Sequence, residues 1–311
     1  MLYTPITDPE LTRHLATLPK DGREVFVALD ATVRITAISA TTMINQMQAN
    51  HGLQPLETYV LGQAYLATAL LTSLVEGNDR MQLSIECGGP IGGIYTEGWA
   101  NGSVRGYLKN NPIPLTRELT SLDLDELYGP GFLTISKLLE GKKTPFSGQT
   151  MLQWGDLAKD LATHFDQSEQ TPTHFILSID FNDKAQVVGA GALFIQAMPG
   201  WKQDGLDRLA NCADMLPALG KHIANGYSVK SFVETHFTGV DLRHLGSTDI
   251  RFFCPCTREQ YGRYIQHLKE SDRADIAENG PFPFEVVCAN CNTTYRWSKD
   301  EMKRLLDEVK R

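Results

Sequence analysis

The sequence lacks an apolar run long enough to cross a membrane. Its best candidate, Tyr59 to Val75, carries no charge, but it contains Gly, Gln, Thr and Ser and lacks basic flanks. A transmembrane helix needs roughly 20 mostly apolar residues. The stretch instead predicts a helix, from Leu56 to about Val75, that is buried in a globular core. We expect no membrane partner.

The first residues also lack a basic segment followed by an apolar run, so no secretory signal is evident and we expect a cytoplasmic protein. Basic residues are not in excess either. The chain has 29 Lys and Arg against 37 Asp and Glu, for a formal net charge of −8. This balance argues against nucleic acid as a partner, because binding phosphates requires a basic surface.

Motifs of common enzyme classes are missing. Gly189 and Gly191 are not followed by the third glycine of a dinucleotide-binding loop, because that position is Phe194. There is no Walker lysine, His-Glu-x-x-His or Gly-x-Ser-x-Gly. We therefore expect no enzymatic activity and no catalytic residues.

Residues 1–200 alternate between strand and helix patterns without a regular strand-helix-strand repeat, which predicts an α+β fold with a large mixed sheet/helix N-terminal domain. The clearest local signal is a hairpin from Ile94 to Leu108. Its Asn101-Gly102 pair predicts a two-residue type I′ turn. Residues 201–253 show short, glycine-interrupted amphipathic helices, which must dock on a larger apolar surface. We interpret them as a helical linker.

The six cysteines are unevenly distributed. Cys87 and Cys212 stand alone and are expected to be buried core thiols. The other four form two pairs in the last fifth of the chain, Cys254-Pro-Cys256 and Cys288-Ala-Asn-Cys291. In a chain without a secretory signal, paired cysteines indicate metal ligands or thiols more than structural disulfides.

Two cysteine pairs are a strong zinc signal, because tetrahedral Zn²⁺ is well satisfied by four thiolates. A catalytic zinc is disfavoured, since four cysteines leave no open coordination position. Capping boxes at Thr257–Gln260 and Ser298–Glu301 predict two flanking helices, and 284–287 with 294–297 predict a hairpin whose turn carries the second pair. The sequence thus predicts a small zinc-binding module over residues 254–311.

The energetics of this module suggest a switch. A core of this size alone supplies about 3–5 kcal/mol, whereas structural zinc contributes on the order of 10–16 kcal/mol. Thiolates are open to oxidation, and the short spacings permit disulfides Cys254–Cys256 and Cys288–Cys291. The alternative is a purely structural zinc module without a redox role, as in a nucleic-acid-binding protein, which would need its zinc in order to bind.

The chain resembles the heat shock protein 33 family, also called the 33 kDa chaperonin. The resemblance is carried by both cysteine pairs and by segments that span most of the chain. These segments are 87–94, 100–109, 165–172 and 189–199.

The resemblance implies an ATP-independent holdase that binds unfolded client proteins under oxidative stress. It implies one Zn²⁺ per chain, held in the reduced, inactive state by the four cysteines of the C-terminal pairs. Oxidation of these thiols to disulfides, with zinc release, would activate the protein, which is a homodimer when active. Residues 201–253 correspond to a metastable linker whose apolar faces, around Leu209, Leu216, Phe232 and Val233, would be released to bind clients.

Overall fold

The computed structural model describes residues 1–115 and 124–307, and its chain divides into two units. The larger unit is Thr4–Phe252, and the smaller unit joins Met1–Tyr3 to the chain from Phe253 onward. The division into a core domain (1–200), a linker (201–253) and a C-terminal module (254–311) stays a prediction.

The larger unit combines two sheets with helices. Its helices are α1 (Pro9–Thr17), α2 (Thr41–His51), α3 (Pro55–Leu71), α4 (Asp125–Tyr128), α5 (Leu157–Ser168), α6 (Gln203–Asp214), α7 (Leu219–Ala224) and α8 (Val229–His236). Its strands are β1 (Gly22–Ala28), β2 (Val33–Ser39), β3 (Arg80–Cys87), β4 (Gly93–Trp99), β5 (Ser103–Leu108), β6 (Gly131–Leu138), β7 (Phe146–Met151), β8 (Thr173–Phe181), β9 (Val187–Ala197), β10 (Arg243–Asp249) and β11 (Arg251–Phe252).

The first sheet has the strand order β10-β1-β2-β9-β8, and its pairs are antiparallel. The second sheet has the order β11-β5-β4-β3-β6-β7. Its pairs are antiparallel except for β11, which lies parallel to β5. Hairpin connections and isolated helices without a parallel core confirm the α+β class.

Helix α3 packs against strands of both sheets and is buried on nearly every side. Within it, Leu61 and Tyr65 are fully buried. The Tyr65 hydroxyl donates to the Gly106 carbonyl oxygen of β5 at 2.9 Å, which satisfies its polar end inside the core. The predicted buried helix is confirmed. No helix among the described residues has the length and apolar character needed to cross a membrane.

The hairpin of β4 and β5 is confirmed, but its turn differs from the prediction. Gly98 pairs with Val104, and the Gly102 amide donates to the Trp99 carbonyl at 2.9 Å. Gly102 has a φ of 80°, whereas Asn101 is not in the left-handed region. A type I′ turn needs both central residues at positive φ. The loop is therefore one residue longer, and only its glycine adopts the left-handed conformation.

Helices α6, α7 and α8 cover one face of the first sheet. Together they enclose a hydrophobic cluster in which Phe26, Ile35 and Leu193 meet Leu219 and Phe232. Helix α7 lies so close to β9 that a Cβ at Gly189 would collide with the Gly220 carbonyl oxygen. The glycine pair in β9 therefore allows this helix to pack closely, rather than marking a dinucleotide loop.

The predicted helical character of residues 201–253 holds only as far as His236. The segments Arg243–Asp249 and Arg251–Phe252 form strands β10 and β11 instead, which pair with β1 and β5. Local sequence did not reveal them because β10 is mostly polar and buries none of its side chains. Its extended conformation is fixed by backbone pairing with a partner far away in the chain.

The smaller unit consists of α9 (Arg258–Gln266), α10 (Glu270–Asn279) and α11 (Lys299–Asp307) with a two-stranded hairpin of β12 (Phe284–Val287) and β13 (Thr294–Trp297). Its buried side chains are few, and they include Ile265, Tyr295, Trp297, Met302 and Leu306 together with four cysteines. A core of this size needs a further cross-link for stability.

Candidate metal centre

One cysteine pair precedes α9 in an irregular segment, and the other lies in the turn of the hairpin. Cys254 and Cys256 precede this helix, and Cys288 and Cys291 lie in the turn between β12 and β13. In that turn, the Cys288 amide donates to the Thr293 carbonyl at 3.0 Å, and its own carbonyl accepts from Asn292 at 2.7 Å. Asn292 has a φ of 55°, a left-handed conformation that asparagine tolerates. These bonds shape the turn and direct the sulfurs of Cys288 and Cys291 to the same side. We call 254–256 the first knuckle and 288–291 the second knuckle.

All four sulfurs converge. The Sγ atoms lie within 4.8 Å of one another, and every one of these cysteines is buried. Cys254 Sγ is 3.8 Å from Cys288 Sγ, and Cys256 Sγ is 3.4 Å from Cys291 Sγ. Four sulfurs at about 2.3 Å from a tetrahedral Zn²⁺ lie about 3.8 Å apart. The cluster therefore fits a tetrahedral metal ion with four sulfur ligands, and its chemistry is compatible with zinc.

A second layer of polar groups surrounds the sulfurs. The Tyr295 hydroxyl lies 3.3 Å from Cys256 Sγ and donates to the Cys256 carbonyl at 2.9 Å. Thr293 Oγ1 lies 3.3 Å from Cys291 Sγ. Tyr261 packs against Tyr295 with ring centroids 5.4 Å apart. Burial and the neighbouring thiols raise the pKa of both tyrosines, so they stay protonated as donors.

The thiols perturb one another. Hydrogen bonding from Cys254 lowers the pKa of Cys256 to about 6 and lowers the pKa of Cys288 as well, whereas the same cluster raises the pKa of Cys291. Part of the cluster is thus held as thiolate, the form that binds metals and reacts with oxidants.

Ser298–Glu301 forms both bonds of the predicted capping box, and Thr257–Gln260 forms the cap bond from Thr257. Thr257 Oγ1 accepts from the Gln260 amide at 3.1 Å and begins α9. At the other end of the module, Ser298 Oγ accepts from the Glu301 amide at 3.3 Å and the Glu301 carboxylate accepts from the Ser298 amide at 2.8 Å. The side chains in and just after α9 differ in burial. Ile265 is buried, but Tyr264 and Leu268 are exposed.

No local pattern indicates that Met1–Tyr3 belong to this unit. The Met1 nitrogen donates to the Cys256 carbonyl at 2.7 Å, and the Leu2 amide donates to Thr293 Oγ1 at 3.1 Å. Nor does any local pattern predict that Tyr261 and Tyr295 lie beside the sulfurs. An aromatic hydroxyl close in sequence to a cysteine knuckle is the signal that would have marked them as neighbours of the sulfurs.

The isolated cysteines lie outside this cluster. Cys87 and Cys212 are half-buried rather than buried as expected. Cys87 lies at the end of β3, and Cys212 Sγ contacts the His236 carbonyl at 3.3 Å. They therefore provide internal controls for the chemistry of the four clustered thiols.

The residues proposed to bind clients all lie in the linker helices or the turn that follows α6. Leu209, Phe232 and Val233 are buried in the hydrophobic cluster on the first sheet, and Leu216 is partly buried against it. In this conformation their apolar surface is covered. Any role in binding requires that α6 and α8 move away from the sheet.

Comparison with known proteins places these features in context. A family model described as Hsp33 protein matches residues 21–298. A protein named 33 kDa chaperonin from Thermus thermophilus is 33% identical, over 91% of this chain and 86% of its own length. The 33 kDa chaperonin of Bacillus subtilis is 31% identical, over 92% of this chain and 98% of its own. The crystal structure of the 33 kDa chaperonin of Thermotoga maritima covers 94% of this chain and is itself covered completely, with a TM-score of 0.83 and 28% identity.

Proposed function

The chain belongs to the Hsp33 protein family, and we propose that it is an ATP-independent chaperone whose binding of unfolded proteins is switched on by oxidation of four clustered thiols. The names of its relatives support a chaperone function without enzymatic activity. The proposed control by oxidation is supported by one observation: four buried sulfurs lie within 4.8 Å of one another in a unit with a small core.

In the proposed resting state, Cys254, Cys256, Cys288 and Cys291 hold one Zn²⁺ as thiolates. When bound, the ion supplies a cross-link between the two knuckles, and its binding energy becomes folding energy of the module. Tyr295 donates to the Cys256 carbonyl, and the Thr293 hydroxyl lies beside Cys291 Sγ, so both side chains help to orient the sulfurs.

In the proposed activated state, peroxide oxidises the thiols in pairs. Each pair of thiolates loses two electrons to form one disulfide, and one hydrogen peroxide takes up these two electrons and two protons from solvent to give two waters. We propose pairing within each knuckle, Cys254 with Cys256 and Cys288 with Cys291. The module then has no thiolates left to hold a metal, and it loses the cross-link on which its fold depends.

Unfolding of the module would free the chain that precedes it. We propose that α6–α8 then leave the first sheet and expose the apolar cluster, including Leu209, Leu216, Phe232 and Val233, to clients. The proposal further includes a homodimer in the active state, a cytoplasmic location, unfolded or oxidatively damaged proteins as partners, and no nucleic acid partner.

An aggregation assay tests this function. A heat-labile enzyme is warmed with reduced protein or with protein that was pretreated with peroxide, and light scattering is followed while released zinc is counted. We expect scattering to fall only in the oxidised sample, with about one zinc released per chain. Equal scattering in both samples would contradict the redox switch. Zinc-dependent binding of nucleic acid would instead favour a purely structural module.

Substitutions test the ligand assignment in the same assay. Cys288→Ser removes one sulfur ligand and should weaken zinc retention and disturb the switch. Cys87→Ser is the matched control, because its half-buried thiol lies at the end of β3, outside the four-thiol cluster and outside α6–α8, and should leave both properties unchanged. Unchanged zinc content in Cys288→Ser would show that the ligands are assigned incorrectly.

A further inference from the structure

One short segment closes an edge of each sheet in the larger unit. Strand β10 is the outermost strand of the first sheet, next to β1, and β11 is the outermost strand of the second sheet, next to β5. We call Arg243–Phe252 the edge strap. It ends where the larger unit ends, and the next residues lead to Cys254.

The β10 part of the edge strap is held mainly by backbone pairing. None of its side chains is buried, and Leu245, at an irregularity in the register, is 60% exposed. Elements with few buried apolar contacts open first in a folded protein. This strand therefore has little side-chain packing to keep it in place once its C-terminal connection is released.

Polar side chains also attach β10, through Lys20 with Asp249, Arg23 with Thr248, and the Glu24 carboxylate. Glu24 of β1 accepts from Ser247 Oγ at 2.6 Å and lies 2.6 Å from His244 Nε2. The His244 ring also covers Phe26, with ring centroids 5.0 Å apart. Departure of β10 would thus uncover an apolar ring as well as the polar backbone edge of β1.

The β11 part is anchored by one aromatic side chain. Phe252 is buried and stacks on Tyr65 at 6.2 Å between ring centroids. The Arg251 amide donates to the Gly102 carbonyl at 3.0 Å. Departure of β11 would open the edge of β5. On this strand Val104 is buried, and it pairs with Phe252.

We infer that the edge strap occupies two client-binding sites in the resting protein, and that active protein captures extended segments of unfolded clients as added strands along β1 and β5. This inference rests on the proposed function and specifies how clients are held. An open sheet edge presents unpaired N–H and C=O groups that pair with any extended chain. Main-chain pairing does not depend on client sequence, which suits a chaperone for many unfolded proteins.

The strap sequence itself supplies the probe. A labelled peptide with the sequence of Arg243–Phe252 should bind oxidised protein, should not bind reduced protein, and should compete with an unfolded client. Two N-methylated versions keep every side chain and block opposite edges of the peptide backbone, because successive amides point to alternate edges. The first is methylated at His244, Ser247 and Asp249, which pair with Phe26, Glu24 and Gly22. The second is methylated at Arg243, Gly246 and Thr248, which pair with Val27, Val25 and Arg23.

Only one of these peptides carries methyl groups on the edge that faces β1. Loss of about three backbone hydrogen bonds should weaken its binding by about tenfold or more relative to the other. Equal binding of both, or no competition from the unmethylated peptide, in protein that still suppresses aggregation would overturn the inference and leave the proposed function standing. Absence of aggregation suppression after oxidation would instead reject the proposed function.

Hydrogen exchange provides a second measurement on the intact protein. Amides of β1 and β5 should be protected in the reduced state, exchange after oxidation, and regain protection when client is bound. Glu24→Ala should speed exchange in β10 of reduced protein, whereas Glu10→Ala, which removes only an exposed ion pair with Lys184, should not. Strands β8 and β7 form the opposite edges of the two sheets. If client binding restores amide protection only in these strands, the inference is wrong.

Discussion

The hydroxyl of Tyr295 donates a hydrogen bond to the carbonyl oxygen of Cys256 at 2.9 Å and lies 3.3 Å from the sulfur of the same residue. One side chain on β13 therefore fixes the position of the first knuckle against the hairpin that carries the second. This contact ties the candidate metal centre to the fold of the module, and we expect metal affinity to depend on Tyr295 as well as on the cysteines.

Tyr295→Phe should weaken zinc binding without removing a ligand. Loss of an outer hydrogen-bond donor typically lowers metal affinity about tenfold or more. Competition with a chromophoric chelator measures this change. Tyr264→Phe is the control, because its exposed ring lies on the same module but its hydroxyl only accepts from Gln260 at 2.7 Å. Equal affinities in the two variants would show that Tyr295 does not support the centre.

Removal of zinc from reduced protein should unfold the smaller unit selectively. The module's core is small, so the loss of a metal that contributes on the order of 10–16 kcal/mol should exceed its stability. Hydrogen exchange after chelation should show lost protection in α9, β12, β13 and α11, with α3 still protected. A module that keeps its amide protection without metal would contradict the regulatory mechanism.

Phe232→Ala should activate the protein partly without oxidant. Phe232 is fully buried in the cluster between α8 and the first sheet, and such truncations cost about 3–5 kcal/mol. Weaker docking of the linker helices should lower light scattering of a heated client in reduced protein. Tyr227→Ala is the control, since its ring is exposed nearby and should leave the reduced protein inactive.

His164 should make stability fall in mildly acidic solution. It is fully buried, and burial lowers its pKa to about 4, whereas an unfolded histidine has a pKa near about 6.5. Between these values the unfolded state binds a proton and the folded state does not. Stability is therefore complete above about pH 6.5 and is lost as the pH falls towards 4.

Urea unfolding at pH 7 and pH 5 measures this effect. His164→Gln should reduce the difference in the free energy of unfolding between the two pH values by up to about 2 kcal/mol. Thr150→Val removes the hydroxyl that lies 3.2 Å from His164 Nδ1 but leaves the imidazole, so it should keep the difference. An unchanged difference in His164→Gln would show that another group is responsible.

Features that depend on neighbours in sequence were predicted well. The two cysteine pairs, the N-caps Thr257 and Ser298 and the hairpin of β12 and β13 follow from residue types at short, fixed spacings. The buried helix α3 follows from its uncharged apolar composition. The type I′ turn at Asn101 was wrong because the same dipeptide also fits a longer turn in which glycine alone has positive φ.

The amino-acid sequence by itself predicted the cluster of four thiols, since two closely spaced cysteine pairs are typical of a metal site. The tertiary structure alone decided that Arg243–Phe252 forms strands on two sheet edges, that Met1 and Leu2 contact the second unit's knuckles, and that Tyr295 lies beside Cys256. Each of these contacts joins residues that lie tens to hundreds of positions apart in the chain. Their energy comes from pairing and packing partners that no local pattern encodes.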